Sequence, residues 1–212
     1  MLKVYIADCT PFAEPDVFRR GLALVKEERK DRILSFRSHA ERQRSLSATL
    51  LLRLALEKEG ISYADSCFRI EANGKPQLCD QGLYFSLSHS GDRALCALAD
   101  GEVVADIELL SRFGKDENKA RQVARRCLTA DEMVQLEASD DFCENLIRMW
   151  TKKESYVKLT GEGLACDFTS VDTIRRGFYE QRILSGGYCA TVCTRKSCSG
   201  ILWFEGTKFI YE

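Results

Sequence analysis

No apolar run in this sequence approaches the ~20 residues that a membrane-spanning helix needs, so no membrane role is expected. Net charge is nearly absent as well, at −1. Nucleic-acid binding calls for a strongly basic surface, so none is expected. There is no low-complexity segment, no obvious linker and no Cys-x-x-Cys element. The opening residues, Met-Leu-Lys-Val-Tyr-Ile-Ala-Asp, are too few and too soon charged for a secretory signal. The expected setting is the cytoplasm. Cysteine, by contrast, is plentiful, with ten residues scattered along the chain and often inside apolar runs, as at Cys96. Without a secretory signal, reduced and mostly buried thiols are expected rather than a disulfide framework. Cys189, Cys193 and Cys198 lack the spacing of a zinc site.

What remains is 212 residues with 45% hydrophobic content, enough to bury a core in one large domain or two small ones. A first strand is expected over residues 2–7, followed by helices at 16–26 and 27–36. Ser38 with Glu41 three residues on reads as a capping box. The helix it opens runs to about Glu59 and carries Leu46, Leu50, Leu54 and Leu56 toward a core. Strands are expected at 67–70, 83–87, 93–99 and 102–108, with turns at Asn73-Gly74-Lys75-Pro76 and Asp100-Gly101, the latter a hairpin signal. Helices resume at 118–127, after the Thr129/Glu132 cap, and at 140–160, ending at Gly161-Glu162-Gly163. Strands at 182–185, 188–194 and 200–204 close the chain, with a Gly186-Gly187 turn. This order predicts an α+β protein of two similar halves, residues 1–102 and 103–212.

Val103-Val104-Ala105-Asp106-Ile107-Glu108 ends in two acids. Residues two apart on a strand share a side, so Asp106 and Glu108 lie with Val104, and Val103, Ala105 and Ile107 lie opposite. Like charges this close repel by roughly 1 kcal/mol in water and by more at a protein-like dielectric. A hard divalent cation relieves that repulsion, because it prefers carboxylate oxygens and keeps several waters. An acidic strand end running into solvent gives the same pattern. Further on, Trp150, Glu154 and Lys158 recur at i, i+4 and i+8 and form one stripe of a helix. Glu154 offers a third oxygen ligand or a base, and Lys158 a cation for phosphate. A surface Glu–Lys pair worth about 0.2–0.5 kcal/mol is the plainer account.

The two segments together closely resemble the signature of the 4′-phosphopantetheinyl transferases, which is Gly-hydrophobic-Asp-hydrophobic-Glu followed by Trp-x-x-Lys-Glu-Ser/Ala-x-x-Lys. Trp150-Thr151-Lys152-Lys153-Glu154-Ser155-Tyr156-Val157-Lys158 fits every defining position. The first block departs once, at Ala105, near the place where the family favours glycine. Upstream, Asn73-Gly74-Lys75-Pro76 and Ser88-His89-Ser90 look like the family's Gly-Lys-Pro and Ser-His-Ser elements.

The resemblance is to the two-domain, monomeric (Sfp-type) class. It implies two pseudo-symmetric α+β halves (a pseudo-dimer) with coenzyme A and metal in the cleft between them. The implied reaction moves the phosphopantetheine arm of coenzyme A onto a serine of an apo acyl or peptidyl carrier protein. Asp106, Glu108 and Glu154 are then expected to hold Mg²⁺ or Mn²⁺, with Asp106 also beside the coenzyme. Glu154 is expected to activate the serine, with Lys158 and His89 as the other catalytic groups. Lys75, Pro76, Ser88 and His89 are expected at the diphosphate, and Arg29, Arg32 and Arg44 at the 3′-phosphate. Lys153 is expected to support the nucleotide or the helix.

The basic stretch Arg112, Lys115, Lys119, Arg121, Arg125 and Arg126 suits an acidic carrier helix or a solvated helix face. Two other functions fit the same acids: a different Mg²⁺-dependent nucleotidyltransferase or phosphatase, and a carrier-binding module without chemistry.

Overall fold

The computed structural model describes residues 1–71, 76–79, 82–114, 116–161, 166–198 and 200–209. The chain divides into two compact units, Met1–Gly101 with Cys198–Glu212, and Glu102–Ser197. The architecture is α+β, with helices and short, mainly antiparallel sheets in each unit.

In chain order the first unit contains β1 (Leu2–Asp8), α1 (Pro15–Ala23), α2 (Glu27–Ser35), α3 (His39–Lys58), β2 (Phe68–Ile70), β3 (Pro76–Leu78), β4 (Tyr84–Ser90) and β5 (Arg93–Ala99). The second contains β6 (Val103–Leu109), α4 (Glu117–Cys127), α5 (Ala130–Glu137), α6 (Phe142–Thr160), β7 (Phe178–Leu184) and β8 (Tyr188–Thr194). A last strand, β9 (Leu202–Phe204), returns to the first unit.

The first unit is built on a sheet of order β4-β5-β1-β9. Residues 94–99 of β5 are all buried, as a near-continuous apolar run covered on both faces must be. Gly91-Asp92 forms the two-residue turn into it from β4, with Gly91 at φ 54° supplying the left-handed backbone that such a turn needs. The Asp100-Gly101 pair, read as a hairpin signal, instead leads out of the sheet. Both edges of β5 are already taken, by β1 and β4, so β6 pairs elsewhere.

Helix α3 packs over this sheet with Leu46, Leu50, Leu51 and Leu56 in a core shared with Tyr5, Phe12, Phe85, Cys96 and Leu98. Leu54, expected among them, is only partly buried. Ser38 does stand at the N-cap of α3, but its side chain makes no capping hydrogen bond, so the expected box with Glu41 is not formed.

The second unit centres on the antiparallel sheet β6-β8-β7. Every residue of β8 is buried, and α6 lies against β8 and β6. Here the capping box is made: Thr129 accepts from the Glu132 N–H while Glu132 accepts from the Thr129 N–H. Helix α6 ends at Gly161, which adopts φ 77° and donates its N–H to the Val157 carbonyl, a left-handed cap that favours glycine. Glu162 and Gly163, read as part of that ending, lie outside the described residues. Strand β7 begins at Phe178, earlier than the expected 182. No helix among the described residues is long and apolar enough to cross a membrane.

Candidate active site

Helix α6 sorts its side chains by direction, and each direction has a distinct job. Toward the sheet, the Thr151 hydroxyl lies 2.6 Å from that of Thr191 on β8. The Gln181 amide on β7 donates to Thr191 Oγ1, Thr151 Oγ1 and the Arg148 carbonyl at 2.7, 3.1 and 2.8 Å. One turn on, Ser155 donates to the Thr151 carbonyl. Thr151, Ser155 and Thr191 are fully buried, and buried polar groups must be paired. The network therefore fixes the helix against the strands.

In a second direction Lys153 runs into the unit's interior. It has no exposed surface, sits 2.7 Å from Glu132 Oε2 and donates to the carbonyls of Phe168 and Val171 at 2.7 and 2.5 Å. An ammonium has three protons to donate, and these three partners use them all. Lys153 was expected to support the nucleotide or the helix. It anchors the helix, and it has no donor left for a nucleotide. Its partner Glu132 also accepts from the Thr173 N–H and hydroxyl. Burial works against its charge, but Lys153 and these donors outweigh it and hold the carboxyl below the usual range. Trp150 is likewise a packing residue, stacked on Phe168 with ring centroids 5.7 Å apart.

The third direction carries Glu154 and Lys158 to β6. Lys158 Nζ lies 2.7 Å from Asp106 Oδ1 and 3.6 Å from Glu154 Oε2. Asp106 is only 5% exposed and stands opposite Thr191 in the β6–β8 register. The hydroxyl network that sets the helix thus begins one residue across from the acid that the helix serves. Burial pushes the Glu154 carboxyl above the usual carboxylate range, against the pull of Lys158 and reinforced by Asp106 and Glu108. Burial also disfavours charge on Lys158, yet Asp106 and Glu154 outweigh it and hold the ammonium above its ordinary value. Glu108, half-buried, pairs with Arg112 one turn on at 2.5 Å.

Among the described residues no three His, Cys, Asp or Glu side chains are gathered closely enough to hold a metal ion. Asp106 and Glu154 share Lys158 instead, and Glu108 turns to Arg112. As chemistry the donor set suits a hard divalent cation: three carboxylates close enough for Asp106 and Glu108 to raise the proton affinity of Glu154. Ala105 is fully buried, and its methyl points to the side of the strand away from both acids.

The remaining expected residues lie in the first unit. Arg29 is half-buried between α2 and α3, donating to Thr49 Oγ1 at 2.9 Å and Ser45 Oγ at 3.1 Å. Burial, and then the nearby Arg32, depress its proton affinity. Arg32 is exposed one turn along α2. Arg44 reaches from α3 to the Gly91 carbonyl at 3.4 Å, beside the end of β4 where the Ser-His-Ser element lies. Ser88 is half-buried and His89 exposed. As strand neighbours they face opposite sides of the sheet, so they do not share one face. Pro76 opens β3. Lys75, Asn73 and Gly74 lie outside the described residues, as does Lys115.

Residues 103–198 match the model of the 4′-phosphopantetheinyl transferase superfamily. The similarity continues into the first unit. The chain is 28% identical over 155 residues to a 4′-phosphopantetheinyl transferase of Bacillus subtilis, covering 71% of this chain and 66% of that protein. It is 28% identical over 191 residues to the transferase psf-1 of Bacillus pumilus, covering 81% and 79%. Over 104 residues, 47% of this chain and 51% of the relative, it is 36% identical to AcpT of Escherichia coli, also a 4′-phosphopantetheinyl transferase.

The family signature marked Asp106, Glu154 and Lys158, which the structure brings together. It gave no hint of Glu132, Gln181, Thr173 or Thr191. Thr191 did leave a trace in the sequence, as a hydroxyl between Ala190 and Val192 in the middle of a strand.

Proposed function

We propose that the chain transfers the 4′-phosphopantetheine arm of coenzyme A to a serine of an apo acyl or peptidyl carrier protein, releasing adenosine 3′,5′-bisphosphate, with Mg²⁺ or Mn²⁺ as cofactor. The observation that supports this most is the meeting of Asp106, Glu154 and Lys158 at 2.7 and 3.6 Å within the superfamily-matched residues.

Asp106, Glu108 and Glu154 are assigned to the divalent cation, which when bound neutralises diphosphate charge and stabilises negative charge on the leaving phosphate. Glu154 is also assigned to activate the serine hydroxyl, directly or through a metal-bound water. Lys158, held charged by its acidic neighbours, supplies a fixed positive group for the phosphate as charge builds on it. Lys75, Pro76, Ser88 and His89 are assigned to the coenzyme diphosphate. Arg29, Arg32 and Arg44 are assigned to its 3′-phosphate, for which the planar guanidinium fork is suited. His89 is the residue proposed to hold the transferred phosphoryl oxygen.

The test is incubation with apo carrier protein, coenzyme A and Mg²⁺, followed by intact-mass measurement of the carrier. The phosphopantetheine increment on the carrier, lost when a chelator is added, is the expected result. Turnover of nucleoside triphosphates without use of coenzyme A would point to a different phosphoryl-transfer enzyme. Carrier binding without bisphosphate release would reduce the protein to a binding module.

A further inference from the structure

Two of the ten cysteines face each other across a hairpin. Strands β2 and β3 pair in antiparallel register, Phe68 with Leu78 and Arg69 with Gln77. One step outward, the Cys79 N–H donates to the Cys67 carbonyl at 2.9 Å, so the ladder continues and these two residues are directly opposed. Side chains alternate along a strand, which puts Cys67 and Cys79 on the face that carries Arg69 and Gln77. Opposed side chains on that face do meet: the Arg69 guanidinium donates twice to Gln77 Oε1, at 3.2 and 2.9 Å. Phe68 and Leu78 take the other face and join the core. Cys67 is exposed and Cys79 half-buried, and neither is in a disulfide.

We infer that Cys67 and Cys79 form a reversible cross-strand disulfide. Opposed residues of a hydrogen-bonded antiparallel pair have Cα atoms about 5.5 Å apart, inside the ~4.4–6.8 Å range that a disulfide spans. The hydrogen-bonded position keeps the Cβ atoms further apart than the unbonded one. A bond there is strained, and strained, exposed disulfides are the readily reduced ones. Glutathione disulfide serves as oxidant. The Cys67 thiolate attacks it, forming a mixed disulfide and expelling one glutathione thiolate. The Cys79 thiolate then attacks the Cys67 sulfur and expels the second. The two cysteines lose two protons and two electrons, and glutathione disulfide becomes two glutathione thiols. The product ties together the two arms of the hairpin whose connection contains Asn73-Gly74-Lys75. Formation of the bond does not depend on the transferase reading.

The test equilibrates the intact, native chain in glutathione buffers of graded potential, blocks free thiols with an alkylating agent, and maps peptides by mass spectrometry. The expected product is one peptide pair joining Cys67 to Cys79, with both alkylation tags lost and regained on reduction. In Cys79→Ser, oxidation should stop with glutathione on Cys67, and in Cys67→Ser the linked pair should vanish. The inference is overturned if the wild-type chain accumulates glutathione on Cys67 without the link, if Cys67 joins another cysteine, or if both thiols stay reduced in buffers that fully modify Cys79→Ser.

Discussion

Lys158 Nζ sits 2.7 Å from Asp106 Oδ1, a contact that spans 52 residues of sequence and joins the last two turns of α6 to the middle of β6. Because Asp106 is almost completely buried, the pair fixes both the position of the acid and the charge of the lysine. Removing the carboxylate in Asp106→Ala, or the charge in Glu154→Gln, should lower transfer by roughly a hundred- to a thousand-fold, the scale of losing one preorganised electrostatic group. Circular dichroism should remain that of the wild type. An Asp106→Ala protein with full activity under metal-controlled conditions would contradict its assigned role.

In the metal-free protein the Glu154 carboxyl titrates above the usual range because it is buried beside two other acids. An NMR titration without metal should therefore show one carboxyl above the ordinary glutamate range, absent in Glu154→Gln, and adding a divalent cation should move it down. A titration unchanged in that variant would assign the raised carboxyl to another acid.

Lys153 offers a clean separation of anchoring from binding. Lys153→Met strips the partner from a fully buried Glu132 and should cost about 3–5 kcal/mol in urea unfolding, the usual result of stranding a buried charge. The double variant Lys153→Met/Glu132→Leu should recover much of that loss. If stability held and only coenzyme affinity fell, the anchoring role would be wrong.

The same glutamate sets part of the acid stability. Its folded carboxyl lies below the ordinary value, so the unfolded chain binds the proton more readily. The stabilisation is complete above the unfolded-state pKa and is lost as pH drops through the lowered folded one. Thermal scans across the acid range should show a shallower decline in Glu132→Gln than in the wild type.

Arg44→Ala should raise the Kd for coenzyme A several-fold while leaving saturated turnover within about two-fold, as expected for loss of uniform binding. Calorimetric titration with coenzyme A provides the check. Equal affinity in wild type and variant would remove Arg44 from the phosphate contact.

Much of the framework can be read from local pattern. The apolar runs of β1 and β5, the Thr129/Glu132 cap and the glycine end of α6 are decided by short-range chemistry. Glu154 and Lys158 were readable because helical spacing alone puts them on one stripe. Other features depend on partners far away in sequence. The misleading signal at Asp100-Gly101 failed because β1 and β4 already occupy β5, something no dipeptide records. Lys153 was expected at the nucleotide or the helix, and the sequence does not choose between them: its counter-charge, Glu132, is announced only as a helix cap. Gln181 and Thr191 serve the site through hydroxyl and amide contacts with Thr151, and such a network is a property of packing.

Strand β9 lies parallel to β1, with Lys3 opposite Leu202 and Tyr5 opposite Phe204. Nearly two hundred residues separate the two strands, so the outer edge of β1 gains its neighbour only when Leu202–Phe204 has left the ribosome. Domains tend to fold as units during synthesis, but this one must wait with an unpaired strand edge while Glu102–Ser197 is being made. Ending translation before Leu202 would leave that edge as a template for pairing with other chains.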